Sequence, residues 1–335
     1  MRNQNGKSLS SVEICAGAGG QALGIEQAGF SMQRAVEIDK DACATLTANR
    51  PNWNISNDDV RNVSGNDFRG IDLFAGGVPC PPFSIAGKQL GALDERDLFP
   101  EALRIISEAD PAAIMLENVR GLGSTKFAAY RESIMLALSR QNYAVGWRLL
   151  NACDYGVPQL RPRFILVAIK RPFDSGYRWP TPVGQRVTVG EAIGSLMGSN
   201  GWTGAEGWAL RACDIAPTIV GGSKKHGGPD LGPSRAREKW LRLGVDGRGV
   251  ANTPPSADFP MDGIPRLTVE MVARIQGFPE EWRFTGKKTA AYRQVGNAFP
   301  PPVSREVANA IKAALTGKAS KAEACGGQTE LFSLG

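Results

Sequence analysis

A single histidine, His226, serves the whole chain of 335 residues, and the six cysteines (15, 43, 80, 153, 213 and 325) include no Cys-x-x-Cys pair. That scarcity excludes a zinc site of clustered thiolates and imidazoles, so no metal is expected. It also leaves hydrolase chemistry of the Ser-His or Cys-His kind with no second histidine to draw on. Scattered thiols suit a reducing cytoplasm, the expected compartment. Long hydrophobic runs are missing as well: none reaches membrane-spanning length, and the polar opening from Met1 to Lys7 lacks the apolar core of a signal peptide. Net charge is only +6. A balance of that size permits a polyanionic partner without requiring one. What is present, 42% hydrophobic residues over this length, is enough for one large domain and a smaller one.

From about residue 11 to 170, short β-rich runs alternate with helical ones. Strands are expected at 11–16, 34–38, 71–75, 112–117, 144–150 and 164–170, and helices near 21–28, 40–49, 97–108 and 125–140. Such alternation predicts an α/β fold, a mostly parallel sheet with helices on both faces. Residues 172–262 are rich in Gly, Pro and Trp and show no sustained period. They predict a second, irregular, β-poor or loosely β unit, with only strand-like fragments such as Thr218-Ile219-Val220. Helical periodicity returns at 269–276 and 303–315, and the polar tail from Thr316 reads as mobile.

Three clusters carry chemistry. Gly76-Gly77-Val78-Pro79-Cys80-Pro81-Pro82 follows the apolar strand 71–75. Two glycines release the backbone and three prolines stiffen the loop that presents the thiol. A strand's C-terminal end is where open α/β sheets place ligands. A buried, inert core thiol is the competing reading. Ala16-Gly17-Ala18-Gly19-Gly20 turns from a strand into a helix, where free N–H groups and a close backbone approach favour a ligand. Glu37 ends the next strand, placed to accept ribose hydroxyls, and Asp59 is a candidate for an adenine amino group. The pattern also satisfies a loose dinucleotide fingerprint, so a nicotinamide cofactor competes here with S-adenosylmethionine. In the third cluster Glu117 closes the buried strand 112–117, where a carboxyl group could hold and donate a proton near neutral pH. Gln159, Arg161 and Arg163 alternate along an extended segment and so share a face suited to a carbonyl oxygen or phosphate. A thiolate, an acid and a guanidinium together suit addition to C6 of a pyrimidine, which makes C5 nucleophilic toward a sulfonium methyl donor.

With those residues in place the chain resembles the DNA (cytosine-5) methyltransferases from about residue 10 to 315. Eight pieces follow in that family's order, ending with Gln276-Gly277-Phe278-Pro279 and Gln294-Val295-Gly296-Asn297-Ala298. The resemblance implies a Rossmann-like S-adenosylmethionine-dependent methyltransferase sheet plus a smaller irregular target-recognition domain. It implies Cys80 as nucleophile, Glu117 at the base N3, Asn118 as support for that loop, and Arg163, with Arg161, at the cytosine carbonyl. For the cofactor it implies Cys15, Ala16, Gly17, Gly19 and Gly20, then Glu37, Ile38, Asp59 and Val60. Pro79, Leu98, Asn297 and Ala298 complete that set. Ser84, Gln159, Lys224, Lys225, Arg235 and Arg237 are the implied DNA contacts. The implied organisation is a catalytic domain at 8–190 completed by 291–316, a target-recognition domain at 191–275, a hinge at 276–290 and a tail at 317–335. The partners implied are double-stranded DNA, whose cytosine must leave the stack to react, and, functionally, a restriction endonuclease, with the chain acting as a monomer away from membranes. S-adenosyl-L-homocysteine would be the product. Two departures stand out: Glu13-Ile14-Cys15 replaces the usual Asp-Leu-Phe, and Pro81 follows the nucleophile where Gln is common. The rival readings are a tRNA cytosine methyltransferase and a non-catalytic nucleic-acid binder.

Overall fold

The computed structural model describes residues 8–79, 97–184, 186–222 and 228–317. Seven strands form one sheet: β1 (Leu9–Ile14), β2 (Phe30–Glu37), β3 (Ile55–Asn57), β4 (Leu73–Gly77), β5 (Ala113–Val119), β6 (Tyr143–Asn151) and β7 (Pro162–Lys170). Their order is β3-β2-β1-β4-β5-β7-β6, all parallel except β7, which runs antiparallel to both neighbours. The expected α/β architecture is the one found. Buried strands such as Ala113-Ile114-Met115-Leu116, apolar on both sides, are what a sheet covered on two faces requires. Strand β3, three residues long, carries too short a pattern to have been expected, and β2 begins at Phe30 rather than Arg34.

Helices cover the two faces. α3 (Phe99–Ala109) and α4 (Ala128–Ser139) lie over Val12, Ile14, Phe74 and Ile114. α1 (Gly20–Gln27) and α10 (Pro301–Thr316) lie against each other on the opposite face. Their contact is tight because Gly24 has no side chain: a Cβ there would stand 2.4 Å from the Pro301 carbonyl. Ser304 Oγ adds a 2.7 Å bond to the Gln21 carbonyl. α2 (Lys40–Asn49) starts at Asp39, whose carboxylate accepts the Asp41 N–H at 2.9 Å.

The segment expected to be irregular is organised by helices rather than strands. α5 (Val189–Gly198), α6 (Ala205–Arg211) and α7 (Ser234–Arg242) precede α8 (Val269–Ile275) and α9 (Lys288–Asn297). Among the described residues the strand-like fragment 218–220 joins no strand; its neighbour Ala216 makes an isolated bridge to Gln159. A capping box opens α5, Thr188 Oγ1 accepting from the Glu191 N–H at 3.2 Å while Glu191 Oε2 accepts from the Thr188 N–H at 2.7 Å. Trp202, Trp208 and Trp240 fill the core of this region, which is continuous with Leu23, Leu46 and Trp53 of the first segment. Among the described residues no helix is long and apolar enough to cross a membrane.

Candidate active site

The parallel strands all end at one edge of the sheet, and because β7 is reversed, its beginning lies there too. A cavity of about 410 Å³ opens at this edge. Its floor is the turn from β1 to α1. Cys15 takes φ +51°, an uncommon conformation for a residue with a side chain. Gly20 lets the turn approach the returning chain: a Cβ there would meet the Phe299 carbonyl at 2.2 Å. Burial, then the charges of Glu37, Glu13 and Asp59, push the Cys15 thiol up to about 12, which favours its protonated form.

Glu37 ties this floor to β2. Its Oε2 accepts the Gly17 N–H at 2.7 Å and its Oε1 the Asp39 N–H at 2.8 Å, so the carboxylate is fixed at the cavity wall. Asp59 caps the turn after β3, accepting the Arg61 N–H at 3.0 Å. Ile38, 65% exposed, gives the rim an apolar surface. Val60, Pro79 and Leu98 line the same space, as do Cys15, Ala16, Gly17 and Gly20 from the turn. Asn297 and Ala298, distant in sequence, are brought to the opposite wall by α9. Gly19 is the exception: it faces Leu46 and Trp282, which a Cβ would approach to 2.6 and 3.0 Å, and it does not line the cavity. Carboxylates beside an apolar rim suit a nucleoside that carries positive charge, so the residues present fit S-adenosylmethionine.

Glu117 lines this cavity too. It sits beside Gly77 at the ends of β5 and β4, and its Oε1 lies 2.6 Å from Nε of Arg163, both side chains only about a tenth exposed. Burial lowers the Arg163 pKa from its ordinary value, while the Glu117 charge opposes the shift. Asn118 donates through Nδ2 to the Val78 carbonyl at 2.8 Å, fixing the exit of β4 just before Pro79. On the far side of the intervening segment, the Leu98 N–H bonds the Pro79 carbonyl at 3.2 Å, and Tyr130 donates to the buried Asp97 at 2.5 Å. Cys80 and Ser84 lie outside the described residues, as do Lys224 and Lys225.

Two of the expected contacts are corrected. Gln159, expected at the DNA, is fully buried: Nε2 donates to Gln276 Oε1 at 2.5 Å, and Oε1 accepts the Ile219 N–H at 2.9 Å. Arg161, expected with Arg163 at the base, is 1% exposed and does not line the cavity. Its guanidinium donates to three backbone carbonyls, Ile219 at 2.5 Å, Gly296 at 2.7 Å and Ala298 at 3.0 Å. Burial, reinforced by the neighbouring Arg163 charge, lowers its pKa well below the ordinary value. Gln159 and Arg161 are engaged by Ile219 and by the carbonyls of Gly296 and Ala298, whereas Arg163 pairs with Glu117. Arg235 and Arg237 lie on α7, the first exposed and the second half-buried against Ser234.

The cavity also contains residues that motif reading passed over. Arg293 lines it from α9, 3.7 Å from Asp39, and Asp58 and Arg61 stand beside Asp59. Their adjacency to Gln294-Val295-Gly296-Asn297 and to Asp59 was the available signal. Glu13 lies under the floor with Oε2 buried and without a partner among the described residues. Burial, then the charges of Glu37 and Glu117, raise its pKa well above the ordinary carboxylate value. No cluster of potential metal ligands occurs among the described residues.

Comparison with known proteins matches residues 9–313 to the model of the C-5 cytosine-specific DNA methylases. The type II methyltransferase M.NaeI of Lentzea aerocolonigenes is 56% identical over 92% of this chain and 76% of its own length. M.NgoMIV of Neisseria gonorrhoeae, also a type II methyltransferase, is 52% identical over 92% of this chain and 98% of its own. Among solved structures, the Entamoeba histolytica methyltransferase EhMeth superposes with a TM-score of 0.65 at 14% identity, covering 92% of this chain and 99% of that one. A mutant of Spodoptera frugiperda DNMT2 gives 0.64 at 19%, covering 91% and 100%; both likenesses speak to the fold.

Proposed function

The chain belongs to the C-5 cytosine-specific DNA methylases and is a DNA (cytosine-5) methyltransferase, and from that premise we propose that it acts through a transient covalent bond between Cys80 and a cytosine turned out of duplex DNA. One observation carries the reading: a single cavity is lined by Glu37 and Asp59, suited to a nucleoside, and by Glu117, whose carboxylate pairs with Arg163 and suits a pyrimidine. When bound, S-adenosylmethionine supplies an electrophilic methyl group. Glu37, Asp59 and Ile38 would hold its nucleoside part and the Gly17–Gly20 turn its remaining backbone-facing groups, with Asn297 closing the opposite wall.

The protein's own groups perform the rest. Glu117 engages N3 of the cytosine, and Arg163, oriented by its ion pair with Glu117, donates to the 2-carbonyl oxygen. Both draw electron density from C6, where the Cys80 thiolate adds. The C5–C6 double-bond electrons then serve C5, which gains the methyl group. Transfer of the C5 proton to solvent water lets the C5–H electrons restore that double bond. The C6–sulfur electrons leave on sulfur, returning Cys80 as its thiolate. C5 and C6 are shielded in a stacked duplex, so the base must leave the helix, at a cost of about a few kcal/mol. Asn118, through the Val78 carbonyl, holds the strand exit that leads to Cys80.

The similarity to type II methyltransferases supports a role as the modification partner of a restriction endonuclease, with the enzyme acting as a monomer on a short site. The test is direct. Purified protein is incubated with S-adenosylmethionine and either duplex DNA or tRNA, and digested nucleosides are quantified by mass spectrometry. 5-Methyldeoxycytidine from the duplex alone is the expected result; 5-methylcytidine from tRNA alone would reject the substrate assignment.

A further inference from the structure

We propose that Arg248 reads a guanine in the target duplex through the outer edge of its guanidinium, with Asp246 as the residue that positions it; this rests on the reading of duplex DNA as substrate. Asp246, its side chain only 15% exposed, grips Arg248 from one side. Oδ1 accepts from Nε at 2.8 Å and Oδ2 from Nη2 at 3.2 Å, and the Arg248 backbone N–H adds a third bond at 3.1 Å. Arg266 Nε completes the set at 3.0 Å to Oδ2. Hydrogen bonding from Arg248 holds the Asp246 carboxyl far below the usual carboxylate range, so it stays charged.

An exposed ion pair of this kind adds little to stability, yet this one fixes the plane of a guanidinium that is 74% exposed. The Nε–Nη2 edge is occupied. The remaining edge, one hydrogen from Nη1 and one from Nη2, has no partner among the described residues. That pair of parallel donors matches O6 and N7 of guanine in the major groove, a contact that Lys or an unbuttressed side chain makes less selectively. Holding the fork in place beforehand removes the ordering cost that a free arginine would meet on binding.

The placement agrees. The Gly247 carbonyl accepts the Leu231 N–H at 3.0 Å, and a Cβ on Gly247 would meet Arg237 Cγ of α7 at 3.1 Å. Asp230, next to Leu231, offers its carbonyl to Tyr292 Oη at 2.5 Å. Tyr292 precedes Arg293, which lines the cavity. A short chain of contacts therefore leads from the cavity wall to Arg248, and α7, which Gly247 touches at Arg237, also carries the exposed Arg235.

The experiment begins by mapping the methylated site by sequencing. Turnover is then measured on duplexes in which each base pair of that site is replaced in turn. For the wild type, replacing one particular G·C pair lowers turnover by on the order of 10- to 100-fold. In Arg248→Ala that discrimination collapses at this pair and persists at the others, and Asp246→Asn weakens it at the same pair. Putting 7-deazaguanine there, which removes N7, slows the wild type and leaves Arg248→Ala unaffected. Retention of every preference by Arg248→Ala overturns the proposal. So does an equal loss on all duplexes with a shallower salt dependence, the behaviour of a phosphate contact. A wild-type protein that methylates no duplex rejects the substrate reading itself.

Discussion

Replacing Arg161 with leucine should destabilise the fold and weaken cofactor binding together, although Arg161 does not line the cofactor cavity. Its guanidinium supplies donors to the carbonyls of Ile219, Gly296 and Ala298. The Ala298 carbonyl also accepts from Gln276 Nε2 at 2.7 Å and keeps that partner in the variant. The other two lose their side-chain donor inside the protein, at about 1–3 kcal/mol each. Relief from burying a cation offsets part of this, so a net loss of about 2–4 kcal/mol is expected. Leucine is apolar and smaller, which adds a void rather than a strain. The functional consequence follows from geometry. Gly296 and Ala298 flank Asn297 on the cavity wall, and Nδ2 of Asn297 donates to the Gly222 carbonyl at 3.2 Å. Without the clamp, the segment 219–222 and the wall at 296–298 keep the Asn297–Gly222 bond but lose their buried shared donor. Urea unfolding gives the stability change, and isothermal titration with S-adenosylhomocysteine gives the affinity. Arg161→Lys, which keeps one charged donor group, should fall between the two. A change under about 0.5 kcal/mol with unaltered affinity would refute the reasoning.

Two further expectations concern the cavity. Glu37→Ala removes the acceptor for the Gly17 and Asp39 N–H groups and the candidate ribose contact, so S-adenosylhomocysteine should bind at least about tenfold more weakly, about 1.4 kcal/mol, with duplex affinity unchanged; equal weakening of both ligands would point to general unfolding. Glu13 gives a pH-dependent outcome. Its folded pKa is raised, so the folded state keeps a proton that the unfolded chain releases, and stability falls as pH climbs from the ordinary carboxylate value toward the raised one. Glu13→Gln cannot ionise, and its melting temperature relative to the wild type should rise between pH 5 and pH 8; a constant difference would show that Glu13 is charged in the folded protein.

Local chemistry made much of this architecture readable. The strand-to-helix turn at 14–20 announces itself through closely spaced glycines, and Glu37 follows at the end of the next strand because each crossover returns to the same sheet edge. The α2 helix was legible as a helical run near 40–49, and the structure adds its Asp39 cap. Long-range pairing was not. Gln159 and Arg161 look like a basic edge because their partner Ile219 arrives some sixty positions later, beside the Leu160 to Ala216 backbone bond. α5 escaped notice because Gly190, Gly194 and Gly198 dilute its period. Gly190 and Gly194 make room for α6, where a Cβ at Gly190 would stand 2.0 Å from the Ala209 carbonyl. The Thr188–Glu191 capping box was the signal that could have revealed it. The Asp246–Arg248 fork was equally hidden, since two residues of separation in a glycine-rich stretch says nothing about where a guanidinium is held.

The mechanism turns on a bond from Cys80 to C6, and a duplex carrying 5-fluorocytosine at the methylated position tests it most directly. Fluorine cannot depart as a proton does, so the adduct formed after methyl transfer has no route back. Intact-mass analysis under denaturing conditions should show the protein joined to one DNA strand, with the link mapped to the peptide containing Cys80 and absent from Cys80→Ala. Steady methylation of the ordinary duplex with no trapped species on the fluorinated one would contradict it.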